Sequence, residues 1–339
     1  MEPGRPDVRP AAAVTRRPAT PAGARRGLLL QLGLLALIAS GLWLLAATAA
    51  GHMRERGIHS GFDFLLQSAG FWISEGVPAF DPAESYLKAF GVGLANTLRV
   101  ALPATLAALA IGFLVGLGRI AHNPLLRACC TAYVETLRNI PLLLQLLAWY
   151  FVLTAVLPPA AQAIELLPHV YLGKSGLALP WPGADGIELP ERGGFSISGG
   201  AQLSPEYLAL FIGLATYTAS YIAESVRAGV QAVSAGQAQA AVALGLRRGQ
   251  ILRHITLPQA LPAIVPPLAN HALNVIKNSS LAVAIGYPDL VSIANTTLNQ
   301  TGRAVECIAI VVAVYVLICA LGIGLAHLLE HRWRRWTYA

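Results

Sequence analysis

Charge is what this sequence has least of. Only 12% of its 339 residues are Asp, Glu, Lys or Arg, about half the share of an ordinary soluble domain, and 55% are hydrophobic. The length alone would allow two or three soluble domains. Several apolar runs of 18 or more residues point instead to a helical membrane protein with many spans. Cysteine is scarce too. Cys129, Cys130, Cys307 and Cys319 have no metal-ligand spacing, and adjacent Cys129 and Cys130 make a poor disulfide framework. All four read as structural, and no metal site is expected. The eight histidines are scattered, with no His-Glu-x-x-His and no Gly-x-Ser-x-Gly, so no catalytic site is expected. A Walker A loop is also missing, so the chain has no ATP site of its own.

What charge there is sums to +7. In a soluble protein that would suggest nucleic acid. Here it reads as topology, and no nucleic-acid partner is expected. Spans are predicted at 28–50, 90–118, 134–157, 206–230, 258–278 and 304–329, about six in all. With the N-terminus inside, the inner segments hold Arg119, Arg127, Arg138, Arg227, Arg247, Arg248, Arg253, Arg332, Arg334 and Arg335. The outer ones hold few cations beyond Arg54, Arg56, Lys88, Lys174 and Arg192. This asymmetry places both termini in the cytoplasm.

Residues 1–27, rich in Pro, Ala and Arg, read as a disordered basic cytoplasmic tail. The apolar run at 28–50 exceeds a signal-peptide core and is read as an uncleaved first helix. Segment 51–87 is outside and contains "FDFLLQSAGFWI", which predicts a short amphipathic helix at the interface. The main helical domain covers 88–330, with a Pro/Gly-rich outer insertion at 158–204 and an inner loop at 234–257. Residues 331–339 form a basic cytoplasmic end.

The inner loop carries the most regular pattern. Ser234 and Gln237 fit a capping box, a helix over about 235–244 follows, and Gly245 can end it in the left-handed conformation. Leu246 is expected exposed beside Arg247 and Arg248, with a second helix from about Gln250 to Leu257-Pro258. From the residues alone this is either a plug for a groove in another protein or an ordinary loop whose arginines mark topology.

The layout resembles the cytoplasmic signature of bacterial ABC-importer permeases: Glu-Ala-Ala, three residues, Gly, nine residues, Ile, one residue, Leu-Pro. Here Gln239, Ala240, Ala241, Gly245, Ile255, Leu257 and Pro258 match at every spacing. Gln239 replaces the first Glu, which keeps hydrogen bonding and removes a charge. "YVETLRNIPLLLQLLAWYF", "YTASYIAESVRAGVQAV" and "NVIKNSSLAVAIGYPDLVSIANTTLNQTG" are similar to polar and general L-amino-acid permeases of the MetI-like class, and the resemblance covers most of residues 30–335. It implies an all-α integral membrane fold: a five-helix type I importer core preceded by one extra helix, in the bacterial inner membrane. It also implies a periplasmic amino-acid-binding protein and a cytoplasmic ATPase dimer that uses ATP and Mg. Two permease subunits are implied, with a heterodimer favoured over a homodimer. Gln239 to Leu246, with Arg247 beside them, would couple to the ATPase. An ATP-independent secondary transporter or channel is the alternative.

Polar groups inside a bilayer cost roughly 2.5 kcal/mol and upward each, so they usually face a cavity or the bundle interior. On that ground Asn96, Thr97, Glu135, Asn139, Glu224, Asn274, Lys277, Asn278 and Ser279 are candidates for the translocation path. Glu224 would accept an ammonium, and Lys277 or freed backbone amides would meet a carboxylate. Alternatively, Glu224 simply pairs with Arg227 three residues on, and Lys277 snorkels to the interface. Pro258, Pro262, Pro266 and Pro267 open one face of the fifth span, and "NSSLAVAIG" suggests a broken or re-entrant segment.

Overall fold

A computed structural model describes residues 21–55, 61–76, 79–183 and 186–337. Two compact units divide the chain at residue 60. Among the described residues, the first holds one helix, α1 (Pro21–Glu55). Its residues 21–27 are helical rather than part of a tail. The rest of the expected tail, 1–20, lies outside the described residues.

The second unit is built on α2 (Tyr86–Arg119) and α5 (Pro205–Gln231), which pack along their lengths. Lipid tails are as apolar as leucine, so water gives no drive for two spans to associate; close contact must supply it. Small residues allow that contact. A Cβ built on Gly112 would lie 2.6 Å from Ile222 Cβ and 2.8 Å from the Ala219 carbonyl. One turn on, a Cβ at Gly116 would lie 2.8 Å from the Ala223 carbonyl. Gly-x-x-x-Gly on α2 thus meets Ala-x-x-x-Ala on α5.

The expected third span is two helices, α3 (Pro124–Asn139) and α4 (Leu142–Phe151). With the π-type turn that extends α4 to Val156, the pair is bent by 102°. Pro141 is the cause. It disfavours helical backbone at the residue before it, and Ile140 is extended at φ −92°, ψ 125°. Gln145 Nε2 bridges the break, donating to the Leu137 and Ile140 carbonyls at 2.8 and 2.9 Å. Those carbonyls would otherwise be unmatched at a helix end.

The insertion after α4 is not an irregular loop, and the fold is therefore not all-α. Eight short strands occupy it: β1 (Ile164–Leu167), β2 (Val170–Gly173), β3 (Gly176–Leu179), β4 (Trp181–Gly183), β5 (Gly186–Glu188), β6 (Glu191–Arg192), β7 (Ile197–Ser198) and β8 (Ala201–Leu203). An antiparallel sheet runs β1-β2-β3-β8, and β4-β5 and β6-β7 form two separate hairpins. Tyr171 and Ala178 pair across β2 and β3 and are buried with Ala160, Ala163 and Ile197. From alternate positions, Leu172, Leu177 and Leu203 pack on the helical core. That is the period-two division of a strand between two faces. The many Gly and Pro residues serve as turns between strands too short to announce themselves.

After α5 come α6 (Ala235–Ala243), α7 (Arg248–Ile251) and α8 (Leu257–Asn278). A 3-10 turn at Ser279–Ile285 ends at Gly286, whose φ is +80°. Then α9 (Leu290–Thr301) starts on Asp289, whose carboxylate accepts from the Ser292 amide at 2.8 Å. The helical stretches before and after this break meet at 49°, so the expected broken segment is present. Last comes α10 (Ala304–Thr337). Two helical stretches, Tyr86–Arg119 and Ala304–Leu328, are each long and apolar enough to cross a membrane, and the two bent pairs qualify if each counts as one span.

Segment 61–85 forms no amphipathic helix. Only Asp63–Leu66 makes a 3-10 turn. The chain then runs extended, with the Ala69 amide bonded to the Glu84 carbonyl at 2.8 Å and Gly70 to Pro82 at 2.9 Å. Its aromatics explain the difference. Phe64 and Phe80 bury against Tyr86 and Phe90 of α2, which a helix lying on the interface would have exposed.

Candidate functional site

The signature segment forms a short helix held away from the bundle. In α6, Ala241 is buried, while Gln239 and Ala240 are exposed. The expected capping box does not form: Ser234 makes no side-chain cap bond, and its backbone carbonyl closes the turn by accepting from the Gln237 amide at 3.1 Å. The other end is closed as expected. Gly245 has φ +81°. Its amide donates to the Val242 carbonyl at 2.9 Å, and the Leu246 amide to Ala241 at 3.1 Å. These two bonds are the Schellman closure of a helix C-terminus.

Leu246 is exposed as expected, though it is not the most exposed aliphatic group here. Leu246 is 36% exposed, whereas Val242 is 60% and Leu244 is 83%. Leu244 and Val242 are therefore the prominent aliphatic groups. Side chains at 242, 244 and 246 around a helix end cannot share one direction, so one facing outward was foreseeable. The second helix runs into the next span at Leu257-Pro258, as expected. The Arg247 amide donates to Gln250 Oε1 at 2.9 Å, α7 begins, and a π-type turn over Leu252–Thr256 leads unbroken into α8. Proline lacks an N–H and crowds the carbonyl four residues back, and a wide turn at that point relieves the conflict. Ile255 and Leu257 are half-buried within this continuous helix and Pro258 is exposed.

The candidate path residues separate into three places. Asn96 and Thr97 are both fully buried. Asn96 Nδ2 donates to the Glu75 and Pro288 carbonyls at 2.7 and 2.9 Å, and Thr97 Oγ1 accepts from the Leu290 amide at 3.2 Å. They fasten segment 61–85 and the α9 start to α2, with Arg99 paired to Glu75 at 2.8 Å alongside. Sequence reasoning missed Glu75, whose only sign was one acid in an apolar stretch.

Glu224 forms ion pairs with both Arg119 and Arg227. Arg227 also donates from Nη1 to Gln231 Oε1 at 2.6 Å. Both carboxylate oxygens are thus engaged, and the last residue of α2 is tied to α5. Glu135 and Asn139 are exposed on α3. Between them, Arg138 lies over the Tyr221 ring, 4.9 Å from its centroid.

The third place is a polar cavity of about 330 Å³ between α5 and α8. Asn274 and Asn278 line it together with Tyr217, Thr218, Tyr221 and His271. Lys277 is exposed on the same helix, and Ser279 is buried, its hydroxyl donating to the Ile276 carbonyl at 2.7 Å. His271 Nε2 lies 3.0 Å from Ser225 Oγ, and the Tyr217 and Tyr221 hydroxyls are 3.1 Å apart. The lining offers hydroxyl and amide groups able to donate and accept, with no carboxylate. Tyr217, Tyr221 and His271 were missed from sequence. Their signal is spacing: 217 and 221 share one helical face, as do 271, 274 and 278.

Comparison with known proteins places this geometry. Residues 108–335 match the family model described as binding-protein-dependent transport system inner membrane component. The general L-amino acid transport system permease protein AapQ of Rhizobium johnstonii is 35% identical, over 87% of this chain and 89% of its own length. The putative amino-acid ABC transporter permease protein YhdX of Escherichia coli is 38% identical, over 81% and 86%. Among solved structures, an amino acid ABC transporter crystallised with histidines matches at TM-score 0.55 and 26% identity, covering 73% of this chain and 95% of that one. A MetNI methionine transporter chain at 18% identity and TM-score 0.52 shares the fold.

Proposed function

The chain belongs to the family of binding-protein-dependent transport system inner membrane components, and from that premise we propose that it is the permease subunit of an ATP-driven importer of L-amino acids, coupled to its ATPase through α6. The carrying observation is the form of that helix. It buries Ala241, exposes Gln239, Ala240, Val242 and Leu244, and is fixed in direction by the Gly245 closure. A helix this short is marginal alone in water, and its exposed aliphatic side chains suit a groove in a partner. Amino acids as cargo follow from what AapQ and YhdX are said to carry.

In this reading α6 faces the cytoplasm, where a dimeric ATPase uses ATP and Mg. The chain crosses the membrane about six times with both termini inside. A second, different permease subunit completes the pathway, and a periplasmic binding protein delivers the amino acid near the β-strand insertion. The cavity at Asn274 and Asn278 supports a path along the α5–α8 face, with Lys277 and Arg138 at hand for a carboxylate. Glu224 is spoken for by two arginines, so the ammonium is expected to meet hydroxyl and amide oxygens rather than Glu224.

The test is a photo-crosslinker at position 244, in native membranes, with every crosslinked protein identified. An ATPase is expected as the main product, and adding ATP should change its yield. Absence of any ATPase, with uptake that survives ATP depletion, would sink the proposal in favour of a secondary transporter.

A further inference from the structure

A cavity of about 840 Å³ lies behind the coupling segment, between it and the ends of α2 and α5. Its lining carries three arginines, Arg119, Arg127 and Arg248, with His122 beside them, and no carboxylate. Arg119 shares Glu224 with Arg227, and its buried Nε has no partner. Among the described residues, His122, Arg127 and Arg248 form no ion pair. The remaining walls are largely apolar, and Leu117 and Val230 come from the final turns of the two long helices. One side of the cavity therefore continues the surface of the spans, while the other carries cations at the level where those spans end.

A purely acidic peptide would not need the apolar wall, and a lipid tail alone would not need the cations. We propose that this cavity holds the headgroup of an anionic phospholipid, its phosphate against Arg127 and Arg248 and the start of an acyl chain along Leu117 and Val230. Basic pockets between spans near the inner membrane surface attract such headgroups, and guanidinium groups match phosphate oxygens with two parallel hydrogen bonds. A lipid held there braces the back of α6, so occupancy sets how firmly the coupling helix is presented. The cation count and volume stand without the function proposed above; only the choice of the inner leaflet rests on it.

The test uses the full chain, purified in mild detergent and examined by native mass spectrometry during titration with phosphatidylglycerol, phosphatidylcholine or inorganic phosphate. Phosphatidylglycerol should bind in preference to phosphatidylcholine. Arg127→Gln should weaken it by about fivefold, the worth of one cation near a membrane surface, and His122→Gln/Arg127→Gln by more. Arg127→Lys keeps the charge and should restore most of the affinity, which separates a lost contact from a damaged fold. Equal lipid retention by wild type and the double variant would overturn the site. Competition by inorganic phosphate at the same concentration would reassign it to a soluble anion. Loss of lipid preference only when an ATPase co-purifies, with Arg127 crosslinked to that ATPase, would make the cavity a protein contact and overturn the lipid. Unchanged amino-acid uptake by a variant that has lost the lipid would overturn the bracing of α6 by the lipid, whereas a wild type that keeps the lipid but does not need ATP breaks only the function proposed above.

Discussion

Gly245 joins a sequence pattern to a conformation with little else intervening. Its φ is +81°, and a Cβ built there would have no heavy atom within 4 Å. A larger residue therefore meets no clash, and its cost lies wholly in the backbone. For a β-branched residue in the left-handed region that cost is about 1–2 kcal/mol or more; asparagine tolerates the region far better. Gly245→Val is expected to insert normally yet lower ATP-driven uptake by roughly fivefold to thirtyfold, while Gly245→Asn keeps most of it. Uptake into vesicles holding the whole importer measures both. Equal uptake by all three forms would detach this turn from coupling. Glu224 is a second residue whose role is now specific. It is the shared counter-ion of Arg119 and Arg227, and the Arg119 side chain is only 12% exposed. Glu224→Gln strands that guanidinium, and after allowance for the partly exposed carboxylate a loss of about 1–3 kcal/mol is expected. Arg119→Gln/Glu224→Gln should recover part of it. Thermal unfolding in detergent checks the order, and a double variant less stable than Glu224→Gln would show that the ion pair is not what Glu224 supplies.

Among the elements, the α2–α5 contact rests on missing side chains, so adding one is the direct probe. Gly112→Ala places a methyl 2.8 Å from the Ala219 carbonyl and 2.6 Å from Ile222, and overpacking of this kind costs about 1–3 kcal/mol. Gly91 on the same helix has nothing within 4 Å, so Gly91→Ala should be neutral or stabilising by about 0.5–1 kcal/mol. Opposite shifts in unfolding midpoint are expected; a common downward shift would mean that the methyl acts through the helix and not through its neighbour. The sequence made some of these elements legible and others not. Long apolar helices declare themselves by length, so α2 and α5 were found within a few residues of their bounds, and α10 at its start, although it runs on to Thr337. Gly245 and Gly286 were readable because each stands where a helix must end. The bend at Ile140 needed only the proline after it, but the span was read straight through Pro141 because the residues after it are almost all apolar. The strands of 164–203 are two to four residues long, too short for an alternating pattern to stand out. Asn96 was legible as a polar group in an apolar stretch, whereas its hydrogen bonds to the Glu75 and Pro288 carbonyls were not, and Glu75 was missed. In the inner loop the spacing and the exposure of Leu246 were visible, whereas the greater exposure of Val242 and Leu244 was not.

For the molecule as a whole, the distribution of exposed surface states what must surround it. Two faces of the second unit are unlike. Along α10, Val305, Ile308, Val312 and Val316 are exposed, an apolar stripe that lipid satisfies. Along α8 the exposed positions include Gln259, Asn270, Asn274 and Lys277, separated by close to whole turns of the helix, so they form one side of it. Four polar side chains against hydrocarbon would cost several kcal/mol together, comparable with the whole stability of a domain. That face must meet water or protein. The proposed importer provides both, with a second permease across the path and the cavity at Asn274 between them. Cysteine substituted at Asn270 or Asn274, in a chain whose native cysteines are replaced by serine or alanine, should crosslink to that second subunit in native membranes. Cysteine at Val312 should not, and should instead be labelled by a lipid-phase reagent. If position 274 crosslinks to a second copy of this chain, the assembly is a homodimer and the two halves of the path are alike. If it crosslinks to a different permease, the two halves differ, and the cargo can be held by one of them. Lipid labelling at 274 as strong as at 312 would remove the partner from this face and leave its polar side chains without an account.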